Sequence, residues 1–114
     1  MSELTVRTEK RAGGAVLTIA GAVSYDDART LETEIAQVVE AKPGVVAVDL
    51  SGLSFISSVG IAALVTLHRG LHATGGAARI VGPSTNVFGV LEKAHLVELM
   101  PVFPTIELAL TRKP

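Results

Sequence analysis

The chain has 114 residues, no cysteine, 48% hydrophobic and 18% charged residues, and a formal net charge of -1. That length suits one domain, residues 1–114, and the lack of cysteine excludes disulfides, thiolate nucleophiles and Cys-ligated metal centres. A near-neutral chain with one Tyr and three Phe has neither the basic stripe nor the stacking aromatics of a nucleic-acid binder, so no direct nucleic-acid partner is expected.

Met1-Ser2-Glu3-Leu4-Thr5 is not a basic segment followed by an apolar one, and no apolar run approaches the roughly 18–20 residues that cross a bilayer. We expect a cytoplasmic protein without membrane insertion. Leu4, Val6 and Thr8 alternate with polar residues, Gly13-Gly14 follows, and Ala15 to Ala20 is a second β-favouring run, which predicts a hairpin. Ala28, Leu31, Ile35, Val38 and Val39 recur at spacings near three and four. Ser24 precedes them as N-cap, Asp26 and Asp27 occupy the first turn, and Pro43-Gly44 follows, so an amphipathic helix is predicted.

Val45 to Leu50 is apolar almost without alternation, as in a strand covered on both faces. A Ser-Gly turn leads to a helix from about Ser58 to Thr74, apolar nearly all round at its start and closed by Gly75-Gly76. Ala78 to Val81 is a further strand, parallel to the first across a right-handed crossover. Ser84 to Ala94 reads as a short helix, Glu98 to Val102 as a marginal strand, and Thr105 to Leu110 as a terminal helix. The expected fold is α/β, a mixed sheet of four or five strands with about four helices.

The most informative stretch lies between the covered strand and the long helix. Its first apolar run ends in Asp49, whose carboxylate suits a turn and is able to accept backbone N–H bonds. Ser57 and Ser58 then stand at a helix N-terminus, where orphan N–H groups and the positive end of the macrodipole favour a hydroxyl cap or an attached phosphate. Ser57 reads as the N-cap and Ser58 as the exposed residue beside it. Gly60 costs about 1 kcal/mol of helix propensity relative to Ala. Either close packing on the sheet or the approach of a partner to a bare helix start compensates.

Asp49-Leu50-Ser51-x-Leu53-x-Phe55-Ile56-x-Ser58-x-Gly60-Ile61 resembles the signature of the STAS domain, the fold of bacterial anti-sigma factor antagonists. The similarity spans nearly the whole chain, with Gly21-x-Val23-Ser24-Tyr25 before the first helix and Gly82-Pro83-Ser84 before a late one. The resemblance implies a regulatory binding protein, with no enzymatic activity of its own and no cofactor. In such a cycle the unphosphorylated protein binds an anti-sigma factor that is an ATP-binding serine kinase, and so frees the sigma factor. Phosphorylation ends that complex and a serine phosphatase restores it. The serine matching the family's phosphorylation position is Ser58, with Ser57 a second hydroxyl within reach. The expected partner surface comprises Ser24, Tyr25, Asp26, Ser57, Ser58, Val59, Gly60 and Ile61.

Two positions depart from the best-known family pattern, which places Asp where this chain has Ser57 and where it has Ser24. At Ser24 either residue serves as a helix cap, so the fold is unaffected but any charge given to the partner surface is lost, while at Ser57 the missing carboxylate leaves a second hydroxyl within reach of a kinase. An alternative keeps the fold and makes the chain a small subunit of an ABC-type transport or lipid-trafficking complex, with Ser58 an unmodified residue. His68 and His72 share a helix face at i and i+4, yet no His-Glu-x-x-His pattern or cysteine accompanies them, and no metal site is expected. Gly-x-Ser-x-Gly and the Gly-x-x-x-x-Gly-Lys-Ser/Thr phosphate loop are both missing, so the sequence contains no recognisable catalytic set.

Overall fold

In the computed structural model, which describes residues 3–111, the N-terminal hairpin is formed by β1 (Thr5–Arg11) and β2 (Gly14–Val23). A 3-10 turn, Tyr25–Asp27, leads into α1 (Ala28–Glu40), which turns Leu31, Ile35 and Val38 inward, as its three-and-four spacing requires. Strand β3 (Val45–Asp49) then lies between β2 and the later β5 (Ala77–Val81), paired in parallel with both. The predicted interior position of this apolar run is thus observed.

The sheet is mixed and has six strands, in the order β1-β2-β3-β5-β6 with β4 paired to β2 off that path. Two elements differ from the expectation. The segment after the Ser-Gly turn, read as loop, contains strand β4 (Leu53–Ile56), which pairs in parallel with the far end of β2. Its four residues are too few to establish a period, although Leu53 and Ile56 are buried and Ser54 and Phe55 exposed. The expected strand over Glu98 to Val102 is instead helix α4 (Leu96–Leu99) followed by a two-residue strand, β6 (Val102–Phe103). Met100 N–H bonds to the Leu96 carbonyl, and Pro101 has no N–H with which to prolong the turn. With α2 (Ser58–Ala73), α3 (Thr85–Lys93) and α5 (Ile106–Thr111), five α-helices are present among the described residues, one more than expected.

Strand β2 serves two neighbours along its ten residues. Residues Gly14 to Thr18 pair with β3, the register shifts between Gly21 and Ala22, and Gly21 to Val23 pair with β4. Gly21 has φ +92°, a conformation that a side chain disfavours, and a Cβ there would collide with the Glu3 carbonyl. The two faces of the sheet are covered unequally. Leu17, Val46, Val48 and Ile80 pack with Leu31, Leu64, Leu67 and Leu71 in the main core, while Val16, Ala47 and Val81 meet Ala109 of α5. Full burial of one Leu or Val side chain contributes about 1.5–3 kcal/mol, so the long helix is held chiefly by its Leu64-Leu67-Leu71 stripe.

Candidate functional site

The site is built where β2 and β4 end together. Val23 pairs with Ile56, and one residue later the Ser57 N–H donates to the Val23 carbonyl at 3.1 Å. Chain direction therefore delivers two helix starts to the same end of the sheet: the turn opening α1 from β2, and α2 from β4.

Ser57 has the extended backbone of an N-cap residue, with φ −90° and ψ 178°, and its carbonyl accepts from the N–H groups of Gly60 at 3.0 Å and Ile61 at 3.2 Å. Its hydroxyl does not cap. Ser57 is 7% exposed, and its Oγ is buried without a hydrogen-bond partner among the described residues. The expectation of a side-chain cap at Ser57 is corrected by this geometry: position and backbone are those of an N-cap, but the hydroxyl makes no bond to the helix N–H groups. Ser58, the first helical residue, is exposed. Of the two adjacent hydroxyls, only Ser58 is open to solvent.

Val59 and Ile61 are half-buried, whereas Gly60 is buried. A Cβ at Gly60 would stand 2.5 Å from Ile56 Cγ1 and 3.1 Å from Val23 Cγ1. Close packing on β2 and β4 is thus why glycine stands there, and Gly60, expected on the partner surface, is buried. The missing side chain lets α2 lie against the strand ends. That contact seats Ser58 at the rim.

Ser24, Tyr25 and Asp26 are all exposed, Tyr25 at 72%. The turn is tied from within by Asp27, which is 3% exposed. Its Oδ2 accepts the Ser24 N–H at 2.8 Å and the Ser24 hydroxyl at 3.1 Å, while the Asp27 N–H donates to the Ser24 carbonyl. Asp27 is also the N-cap position of α1, where a carboxylate is favoured by the helix dipole. The sequence identified Ser24 as the capping residue; the structure adds that the reciprocal bonds come from Asp27.

A further exposed aromatic, Phe55 at 55%, flanks the helix start from β4 and was not among the expected site residues. The signal was its outward position in a strand too short to identify. Neither Ser24–Asp26 nor Ser57–Ile61 contains Lys or Arg, so these segments offer a phosphate no cation. The N-terminus of a 16-residue helix is what they do offer.

Asp49 lies one turn upstream, and its Oδ1 accepts the Ser51 N–H at 3.0 Å, fixing the loop before β4. The His68 and His72 rings are stacked 5.9 Å apart, as i and i+4 on one helix face, and no group of three or more potential metal ligands occurs among the described residues. Among the same residues no helix is long and apolar enough to cross a membrane.

The fold that carries this site recurs in known proteins. A candidate anti-anti-sigma factor of Mycobacterium tuberculosis, Rv2638, is 32% identical over 111 residues, covering 93% of this chain and 74% of that protein. The crystal structure of an anti-sigma factor antagonist from Mycobacterium paratuberculosis superposes with a TM-score of 0.85 at 28% identity, covering 95% of this chain and 92% of the other. The antagonist SpoIIAA of Bacillus shares the fold at 21% identity in its unphosphorylated form, with a TM-score of 0.82 and 95% of each chain covered. Its phosphorylated form matches with a TM-score of 0.74 at 20% identity, over 95% of this chain and 98% of that one. The STAS domain model itself matches residues 5–109, from the first strand to the last helix, and with that span the chain belongs to the STAS domain family.

Proposed function

We propose that this protein is an anti-sigma factor antagonist switched by phosphorylation of Ser58. The observation that carries the reading is the contrast at the start of α2, with Ser57 buried and Ser58 exposed on the first helical turn. The names of the mycobacterial relatives, an anti-anti-sigma factor and an anti-sigma factor antagonist, support the class.

In this reading the unphosphorylated chain binds an anti-sigma factor that is also an ATP-binding serine kinase, through Ser58, Val59, Ile61 and the Ser24–Asp26 turn, and the sigma factor is freed. The kinase then transfers the ATP γ-phosphoryl group to Ser58 Oγ, leaving ADP. A serine phosphatase hydrolyses the ester and returns the protein to its binding form. The chain is substrate and ligand throughout.

Physics assigns the phosphate its effect. It brings about −1.5 to −2 charges to a helix N-terminus, where free N–H groups and the dipole favour it, so the domain remains folded. Desolvating that charge against a partner without matched cations costs a few kcal/mol, and about 1.4 kcal/mol is already tenfold in affinity. Release therefore occurs at the interface. The test is gel filtration of the complex with the cognate kinase, before and after ATP: dissociation on phosphorylation supports the switch, and a complex that survives phosphorylation contradicts it.

A further inference from the structure

A cleft of about 450 Å³ lies between α1 and α2. Both helices follow strands that point the same way, so their N-termini lie together. At the far end they are in close contact, where a Cβ on Gly70 would stand 2.7 Å from both Val39 methyl carbons. The small side chains of Ala28, Ala36, Ala62 and Ala63 line the space between them, and Val59, next to Ser58, lines it at the N-terminal end of α2. From Val59 to Gly70 the cleft is about 16 Å long, or three helical turns. Among the described residues, Glu32 and Glu40 are the charged ones that line it, with no Lys or Arg.

We propose that this cleft seats an amphipathic helix of the protein partner that binds at Ser58, with apolar side chains in the cleft and basic residues against Glu32 and Glu40. The inference rests on reading the Ser58 surface as partner-facing, and continuity joins the two, because Val59 belongs to both. The acidic lining selects a cationic occupant and opposes an acyl carboxylate or a phosphate headgroup. Glu32 and Glu40 lie about 12 Å apart along α1, which places the two basic residues of the guest roughly eight positions apart. The paired N-termini of α1 and α2 favour the guest's negative C-terminal end at Ser58. A phosphate on Ser58 would then oppose that end directly.

The experiment records amide shifts of the isotope-labelled full chain with a Leu/Lys amphipathic peptide of about 14 residues, long enough to fill the cleft. A Leu/Glu peptide of the same pattern is the control. The basic peptide is expected to shift Ala28, Ala36, Val59 and Ala63 while the acidic one leaves them unmoved. Glu32→Lys combined with Glu40→Lys should weaken the basic peptide by about fivefold or more with the circular dichroism unchanged. Equal response to both peptides, shifts centred elsewhere, or none at millimolar peptide overturns the proposal. Ala36→Trp, at an exposed position of α1, extends the test to the native partner. If the kinase phosphorylates Ser58 but binds Ala36→Trp as tightly as wild type, the cleft proposal fails and the switch stands. If the basic peptide seats in the cleft but Ser58 accepts no phosphate, the switch fails and the cleft stands as a helix-binding surface.

Discussion

The Ser57 N–H donates to the carbonyl of Val23, 34 residues earlier in the chain, at 3.1 Å. This bond continues the β2–β4 register one step beyond Ile56 and locks the start of α2 beside the turn that opens α1. The exposed Ser58 and the exposed Ser24, Tyr25 and Asp26 therefore stand at the same end of the sheet. Two segments distant in sequence form one surface because one parallel pairing ends where both helices begin.

Gly60→Ala is expected to destabilise the protein although alanine is the better helix former. The propensity gain is about 1 kcal/mol, whereas the new Cβ would lie 2.5 Å from Ile56 Cγ1 and overpacking of this kind costs about 1–3 kcal/mol. Urea unfolding should show a net loss of about 1 kcal/mol, and Gly60→Arg should fail to fold. Stabilisation by alanine would mean that Ile56 and Val23 yield freely.

Ser57→Ala should be neutral or stabilising by up to about 1 kcal/mol. Removing a helix cap ordinarily costs about 1 kcal/mol, but here the hydroxyl is buried and unpartnered, so its removal relieves a desolvated polar group. A thermal midpoint several degrees below wild type would show that the hydroxyl forms a bond in solution.

Asp27→Ala should lose about 1–3 kcal/mol, because the Ser24 N–H and hydroxyl both lose their acceptor in a part-buried turn. Chemical denaturation measures the loss, and faster amide exchange at Ser24 locates it. An unchanged exchange rate at Ser24 would show that the turn holds without its carboxylate.

Most of the fold was legible in the sequence because long periodic elements announce themselves. The leucine stripe of α2, the alternation-free run of β3 and the spacing of Leu31, Ile35 and Val38 each settle one helix or strand. Strand β4 and helix α4 were not legible, since four residues define no period and their state depends on neighbours supplied by the rest of the chain: Gly21 to Val23 for one, Pro101 and the core for the other. At the site, sequence distinguished Ser57 from Ser58 by their order at a helix start. It left two accounts of Gly60 standing, because the deciding atoms belong to Ile56 and Val23, brought together only by tertiary pairing.

Ser58→Asp should leave the thermal midpoint within a degree or two of wild type, since a carboxylate in the first turn of a helix is favoured by about 0.3–1 kcal/mol. The same substitution should weaken the kinase complex in calorimetry, while Ser58→Ala retains it. Loss of stability in Ser58→Asp matching its loss of binding would place the effect on the fold rather than on the interface.

The decisive measurement is residue-level mass spectrometry after incubation of the full chain with its cognate kinase and ATP. One phosphate on Ser58, with Ser57 unmodified, is the expected result, because Ser58 is exposed and the Ser57 hydroxyl is enclosed. Phosphate on Ser57 would contradict the assignment of the acceptor, and no phosphate on either residue would contradict the switch itself.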